Sequence, residues 1–177
     1  MSKRAKTIYA LAAVGVLGLF FYVFVSYLSE KAHPIIEKQP SVAMQTMYAG
    51  QVLKQQPISV RIANGEIIIP LNELLEKKFV EFEYEAPTVT VPLLAYISPE
   101  GKVVTSFRYC EPCGSKDFSA EGMEMVCGNC GTRWSFVNLR GISGSCQKYP
   151  PAPFPSKLVG NEIRMDEKIV ANWKIRL

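Results

Sequence analysis

The sequence predicts a mainly β protein in which an N-terminal single transmembrane helix precedes a small β-barrel or sandwich domain. Three observations lead to this prediction. A long uncharged apolar run lies near the N-terminus, short β-like runs separated by turn sequences follow it, and every cysteine falls within residues 110–146. A chain of 177 residues has room for one such domain and an appendage.

The apolar run covers residues 7–28, TIYALAAVGVLGLFFYVFVSYL, and contains no charged side chain. A helix of this length extends roughly 33 Å, which is enough to cross a hydrocarbon layer of ~30 Å. The run ends in SYLSEKAHP, without the small-x-small site of a cleavable signal peptide. An uncleaved, single-pass anchor is therefore favoured over a signal peptide.

Basic residues before the run set the predicted orientation of this anchor. They are Lys3, Arg4 and Lys6. Positive charge is retained on the cytoplasmic side of the cell membrane. We therefore expect residues 1–6 to be a cytoplasmic tip, 29–41 a linker and 42–177 an extracytoplasmic β domain. Subtracting these three charges from the net +4 leaves +1, which argues against a nucleic-acid partner.

Short β-like runs and turn sequences alternate through the predicted domain. In EFEYE the alternation places Phe82 and Tyr84 on one face of a strand. The ANGE stretch at 63–66 is typical of a hairpin turn, and LNELLEKK predicts a short helix capped by Asn72. The predicted strands are QPISVRI, GEIIIP, KFVEFEYE, TVTVPLLAYIS, KVVTSFRYC, MEMV, TRWSFVNL, NEIRM and the terminal KIVANWKIRL.

Two CxxC pairs, Cys110 with Cys113 and Cys127 with Cys130, are the strongest functional signal. Each CxxC turn directs two sulfurs at one point, so two turns on facing hairpin loops complete a tetrahedral thiolate shell. A glycine follows each pair and allows a tight turn that aims N–H groups at the thiolates. Thiolate ligands select zinc, iron, copper(I) or an iron–sulfur cluster, without deciding among them.

Two other interpretations of the cysteines compete with a metal site. Permanent disulfides fit an oxidising compartment, but a CxxC bridge closes a very short loop and constrains little. A thiol–disulfide exchange motif would have one CxxC opening a helix in a βαβ unit, which this sequence lacks. The metal site is favoured over both.

Other residues with ligating side chains are weaker candidates. Cys146 is an additional candidate ligand, because GISGSC is expected to return toward the CxxC turns as a neighbour of the site. His33 is expected to be solvated, and Trp134 and Phe136 to pack the domain. Methionines that suggest copper(I) are better explained by packing; they are Met44, Met47, Met123 and Met125.

An ordered set of segments carries a resemblance to a known family. The set runs from about Val60 to Ile169 and comprises NGEIIIPLNEL, KKFVEFEYE, SPEGKVVTSFRYC, CEPC, FSAEGMEMVCGNCGTRWSF and GISGSC. In these segments the chain resembles the FtrD-like family of membrane iron–sulfur proteins. The resemblance implies an iron–sulfur cluster held by the paired CxxC motifs, and a partner such as an iron permease.

A looser similarity to Rieske domains concerns the order of strands and ligand loops. TRWSF and PPAPFP would follow the ligands as an aromatic strand and a proline-rich cover loop, while Cys113 and Cys130 stand where the imidazole ligands would be. The chain departs from the FtrD-like pattern after Cys146, where QKYPPAPFP follows, and in its single predicted span.

The sequence therefore favours an extracytoplasmic one-electron carrier that serves a membrane iron-uptake or respiratory partner, rather than a catalyst. Cys110, Cys113, Cys127 and Cys130 are its expected ligands, and no acid, base or nucleophile is assigned. A structural zinc site in an assembly or interaction module is the first alternative, and a thiol–disulfide redox protein is the second.

Overall fold

The computed structural model describes residues 15–23, 33–42, 48, 50–86 and 89–176. The chain forms two compact units, Met1–Lys31 and Ala32–Leu177. In the first unit residues 15–23 are helical with exposed side chains, and the rest of the predicted span 7–28 lies outside the described residues.

No helix within the described ranges is both long enough and apolar enough to cross a membrane.

The second unit is mainly β, as predicted. Its helices are α1 (Pro34–Glu37), α2 (Leu71–Lys77) and α3 (Glu167–Ala171). Its strands are β1 (Val52–Lys54), β2 (Gln56–Pro57), β3 (Arg61–Ala63), β4 (Glu66–Pro70), β5 (Phe79–Glu85), β6 (Thr90–Ile97), β7 (Val103–Phe107), β8 (Phe118–Glu121), β9 (Glu124–Cys127), β10 (Arg133–Ser135), β11 (Gly141–Ser143), β12 (Pro153–Phe154), β13 (Ser156–Val159) and β14 (Glu162–Asp166).

These strands form three open sheets. The cysteine sheet has the order β1-β8-β9-β10-β11, the central sheet β12-β7-β6-β5-β2 and the outer sheet β13-β14-β4-β3. Strand β2 pairs with β5 in parallel, and the other neighbours among the described strands are antiparallel. Among the described strands no sheet closes on itself into a barrel, so of the two predicted architectures only the layered one describes the fold.

The central sheet is buried on both faces. In β6, Leu93 and Ala95 belong to the apolar cluster that includes Ile67 and Ile163 of the outer sheet. The alternate β6 residue Tyr96 belongs to a second cluster with side chains of the cysteine sheet. A strand covered on both faces has a continuous apolar sequence, which explains the unbroken run in TVPLLAYI.

The second cluster contains the cysteines and is called the cysteine core below. Its buried members are Ile36, Tyr48, Phe79, Leu94, Tyr96, Val104, Cys110, Phe118, Ala120, Met125, Cys127, Trp134, Phe136, Leu139 and Cys146. The first cluster, between the central and outer sheets, is called the outer core. The cysteines therefore lie on one face of the central sheet, in an apolar environment away from the outer core.

Local patterns in the sequence predict several of these elements. Phe82 and Tyr84 are both buried in β5, as the EFEYE alternation predicts. Asn64 and Gly65 have φ values of 55° and 74°, and form the hairpin turn between β3 and β4. Positive φ at both central residues is the requirement that Asn-Gly satisfies most readily.

Two predicted details are wrong. Asn72 lies inside α2 rather than capping it, because the helix begins directly after Pro70 without a side-chain cap. The segment KIVANWKIRL does not form a strand: its first residues belong to α3, where the Asp166 carboxylate accepts a hydrogen bond of 2.8 Å from the Lys168 N–H. This cap directs the chain into a helix at that point.

Part of the segment 29–41 packs against the β domain. Helix α1 buries Ile36 in the cysteine core. The buried side chain of Gln39 donates a hydrogen bond of 2.6 Å to the Phe154 carbonyl oxygen and accepts one from the Ser156 hydroxyl at 2.6 Å. His33 is exposed, and its imidazole accepts a hydrogen bond from the Ile35 N–H at 3.3 Å.

Candidate metal centre

The first CxxC pair forms a closed turn after β7. The Cys110 N–H donates to the Ser115 carbonyl oxygen at 2.8 Å, and the Gly114 N–H donates to the Cys110 carbonyl oxygen at 2.8 Å. Gly114 has a φ of 72°, a conformation that favours glycine over residues with a side chain. The glycine after the pair therefore closes the turn that brings Cys110 and Cys113 together.

The second CxxC pair repeats this geometry between β9 and β10. The Cys127 N–H donates to the Thr132 carbonyl oxygen at 2.9 Å, and the Gly131 N–H donates to the Cys127 carbonyl oxygen at 3.0 Å. Gly131 has a φ of 66°. Its N–H closes the turn, and the N–H groups that face the Cys127 sulfur are instead those of Asn129 and Cys130.

The two turns and the loop after β11 bring all five cysteines into one cluster. The sulfurs of Cys113 and Cys127 lie 3.6 Å apart, those of Cys110 and Cys130 4.0 Å, and those of Cys130 and Cys146 3.7 Å. Four of the sulfurs all lie within 4.8 Å of one another; they belong to Cys110, Cys113, Cys130 and Cys146. None of the five cysteines, all of which the structure describes, is in a disulfide.

Cys146 reaches the cluster through the predicted GISGSC loop. Its backbone N–H donates to the hydroxyl of Thr132 at 3.1 Å, and that hydroxyl lies 3.2 Å from the Cys130 sulfur. Gly144 has a φ of 98°, and a Cβ there would lie 2.5 Å from the Thr132 hydroxyl oxygen and 2.6 Å from its Cα. The loop is therefore packed directly against the second CxxC turn.

The Gly144→Ala substitution is expected to destabilise the protein by about 3 kcal/mol, since positive φ and the contact with Thr132 both oppose a methyl group. Gly160→Ala is the matched control: its φ is 59°, but a Cβ there meets nothing within 4 Å, so about 1 kcal/mol is expected. Urea unfolding of both variants measures the difference. Equal losses would show that the loop does not press on Thr132.

Burial and hydrogen bonding act in opposite directions on the thiols. Burial, followed by the neighbouring cysteines, raises the pKa of Cys110. Burial also raises the pKa of Cys127, against hydrogen bonds from backbone N–H groups that lower it. At Cys130 burial is outweighed by hydrogen bonds with Thr132 and neighbouring thiols, which bring the pKa to about 6. A bound cation would compensate the thiolate charges and release protons on binding.

Aromatic side chains enclose the cysteines from the side of the sheet. Trp134 is fully buried, its ring centroid lies 6.3 Å from that of Phe118, and its indole N–H donates to the Gln147 carbonyl oxygen at 3.1 Å. Phe136 is also buried and packs on Tyr96 with 4.3 Å between ring centroids. Both aromatic residues therefore pack the domain, as the sequence predicts.

The remaining candidates are buried in apolar packing, exposed or paired with other side chains, or they lie outside the described residues. Met125 is buried in the cysteine core and Met123 is exposed in the β8–β9 turn, while Met44 and Met47 lie outside the described residues. Glu121 and Glu124 accept hydrogen bonds from Arg133 at 2.7 and 2.9 Å. These carboxylates form an ion pair rather than an acid–base pair.

The proline-rich segment PPAPFP ends in β12. Phe154 packs against Phe107 with 4.7 Å between ring centroids, in the outer core. It thus lies on the face of the central sheet opposite to the cysteines, and this residue is not part of a cover over them.

A buried ion pair next to Cys110 is not apparent from the sequence. The Glu111 carboxylate is 1% exposed and accepts hydrogen bonds from the Arg176 side chain at 2.8 Å and from its backbone N–H at 3.2 Å. Arg176 also donates to the Pro150 carbonyl oxygen at 2.8 Å. This contact attaches the segment around Arg176 to the first CxxC turn. The two residues are 65 positions apart in the sequence, so no local pattern predicts their contact.

The Arg176→Met substitution is expected to cost about 2 kcal/mol of unfolding free energy, because it leaves a buried carboxylate without its partner while Arg176 itself is partly solvated. Arg61→Met removes an exposed arginine from its ion pair with Glu162, and less than about 0.5 kcal/mol is expected. Thermal and urea unfolding compare them. Equal effects would mean that the Glu111 pair contributes nothing beyond a surface contact.

The donor set fits a thiolate-bound metal. Four thiolates at about 2.3 Å from a tetrahedral ion lie about 3.8 Å from one another. Two separations within the four-sulfur set, 3.7 and 4.0 Å, lie close to this value, and all pairs of the set lie within 4.8 Å. The fold and the site thus define a layered β protein whose cysteines could hold a metal ion or cluster.

The chain belongs to the family described as membrane iron-sulfur containing protein, FtrD-like, whose sequence profile matches residues 74–176. This range covers more than half of the chain and includes all five cysteines. It begins at the last residue of NGEIIIPLNEL, so most of that segment precedes it. The family is membrane-associated and iron–sulfur-containing, in agreement with the resemblance seen in the sequence.

No curated protein and no solved structure matches the chain.

Proposed function

We propose that the chain is a membrane-anchored, extracytoplasmic one-electron carrier whose iron–sulfur centre is held by the cysteine cluster. The observation that carries this proposal is the convergence of five free cysteines in one buried core. Cys110, Cys113 and Cys130 are proposed as ligands, with the fourth thiolate from Cys127, as the two CxxC pairs indicate, or from Cys146. When bound, the centre supplies reversible one-electron chemistry.

The environment of the sulfurs supports electron transfer rather than catalysis. Cys110 is fully buried, whereas Cys113 and Cys130 are partly exposed, so one side of the cluster is close to the protein surface. Apolar burial on the other side excludes water from the centre. The carboxylates of Glu121 and Glu124 are engaged with Arg133 and that of Glu111 with Arg176, and no residue is proposed as acid, base or nucleophile.

The proposed topology places residues 7–28 across the membrane, with the basic tip 1–6 in the cytoplasm and the domain from residue 42 outside it. The family's membrane association and the 22 uncharged residues support this arrangement. An iron permease or a respiratory complex is the proposed partner. A reporter enzyme that is active only outside the cytoplasm, fused after residue 177, tests the topology. We expect the fusion to be active, and an inactive fusion would contradict the proposed orientation.

A redox titration of the anaerobically purified full chain tests the carrier function. We expect visible absorption that bleaches with dithionite and returns on reoxidation, because an iron–sulfur centre accepts one electron reversibly. A coloured protein that cannot be reduced and reoxidised would contradict the carrier function.

A structural zinc site is the second candidate function, and the four sulfurs within 4.8 Å of one another favour it, because such a set is close enough to surround one tetrahedral ion. Zinc has no redox chemistry. A colourless protein containing one zinc per chain, with no response to dithionite, would therefore establish the assembly module and exclude the carrier.

A further inference from the structure

The cluster contains one more cysteine than a four-thiolate centre uses. Both a tetrahedral ion and a cysteine-ligated cluster take four thiolates. The second CxxC pair supplies Cys127, yet the set in which every sulfur pair lies within 4.8 Å contains Cys146 instead. Cys127 lies outside this set, although its sulfur is 3.6 Å from the Cys113 sulfur.

One buried side chain positions Cys146 relative to Cys130. The Thr132 hydroxyl is fully buried, accepts the Cys146 N–H at 3.1 Å and lies 3.2 Å from the Cys130 sulfur. The sulfurs of Cys130 and Cys146 are 3.7 Å apart, about the separation of two thiolates on one ion. Gly144 allows the backbone approach that brings Cys146 to this position.

Cys127 is held by a different set of contacts. It is the last residue of β9, where its backbone pairs with Phe118. The N–H groups of Asn129 and Cys130 and the hydroxyl of Ser115 face its sulfur. These contacts fix the position of the Cys127 side chain without a metal, so Cys127 can remain in the site while four other sulfurs bind the ion.

We propose that Cys146 is the fourth ligand of the centre, together with Cys110, Cys113 and Cys130, and that Cys127 is a reserve cysteine that takes the fourth position when Cys146 is absent. The proposal rests on the proposed function only in requiring that the cluster binds metal. It accounts for five convergent sulfurs at a site that uses four.

Cobalt(II) binding to the metal-free full chain tests the assignment, because sulfur-to-cobalt charge-transfer absorption reports the number of thiolates. Cys127→Ser is expected to bind one cobalt with the wild-type spectrum. Cys146→Ser is expected to bind at least tenfold more weakly with a shifted spectrum, as Cys127 replaces the lost ligand. The double variant is expected to lose charge-transfer intensity and nearly all affinity, as does the control Cys110→Ser.

Thr132→Val provides a second measurement that keeps all five sulfurs. It removes the hydroxyl that positions Cys146, so the spectrum is expected to shift toward that of Cys146→Ser. The assignment is overturned if Cys146→Ser matches wild type in affinity and spectrum while Cys127→Ser loses cobalt. It is also overturned if the double variant binds as wild type does. If the chain is purified without iron but all variants bind cobalt as expected, the proposed function is contradicted. The ligand assignment still stands in that case.

Discussion

The Cys110→Ser variant is expected to retain less than about a tenth of the wild-type iron, since it removes a proposed ligand of the thiolate centre. Cys110 is fully buried in the cysteine core and belongs to the set of four sulfurs within 4.8 Å of one another. It also belongs to both candidate ligand sets. A serine hydroxyl stays protonated at neutral pH and is a poor substitute for a thiolate at a soft metal site.

Metal analysis of the purified full chain measures this effect, with Met123→Ser as the matched control. Met123 is exposed in the β8–β9 turn, at the end of the hairpin opposite to Cys127, and is not a member of the cysteine core. We expect the control to keep its iron. The two apolar cores remain in Cys110→Ser, so the variant is expected to fold with a lower Tm. Full iron content in folded Cys110→Ser would remove this residue from the centre.

The second large effect is expected from Trp134→Ala, which should lose about 4 kcal/mol of unfolding free energy and release its metal faster. The indole is fully buried beside Phe118, so truncation leaves a cavity in the cysteine core. It also removes the hydrogen bond to the Gln147 carbonyl oxygen, which holds the residue after Cys146. Stability and metal retention should therefore fall together.

Phe82→Ala separates the two effects. Phe82 is equally a large buried aromatic side chain, but it packs in the outer core on the opposite face of the central sheet. We expect a loss of about 3 kcal/mol with an unchanged rate of metal transfer to a chelator. Urea unfolding and chelator competition measure both quantities. Faster metal release in Phe82→Ala than in Trp134→Ala would contradict the location of the centre in the cysteine core.

Local chemistry explains which features the sequence predicts. Asn64 and Gly65 require positive φ, the EFEYE alternation requires one buried face, and each CxxC turn needs a glycine after it. These requirements are met by neighbours in the chain, so they are visible in the residues themselves. The pairing of sulfurs within each CxxC turn could be predicted for the same reason, because each turn positions two sulfurs by itself.

Long-range pairing explains what the sequence does not reveal. Strand β12 pairs with β7 across about 50 residues, and Glu111 meets Arg176 across 65. The choice between a closed barrel and stacked open sheets depends on such pairings. Cys146 joins the four-sulfur set through Thr132, a residue whose sequence context gives no sign of this contact. The helix at Glu167–Ala171 follows from an Asp166 cap within a run that otherwise has a strand-like composition.

X-ray absorption at the metal edge of the anaerobically purified full chain tests whether the cysteine cluster holds iron. We expect bound iron whose nearest neighbours are all sulfur, since the convergent side chains are cysteines and the surrounding core is apolar. Nitrogen or oxygen neighbours around the metal, or a chain without metal at the cysteine cluster, would contradict it.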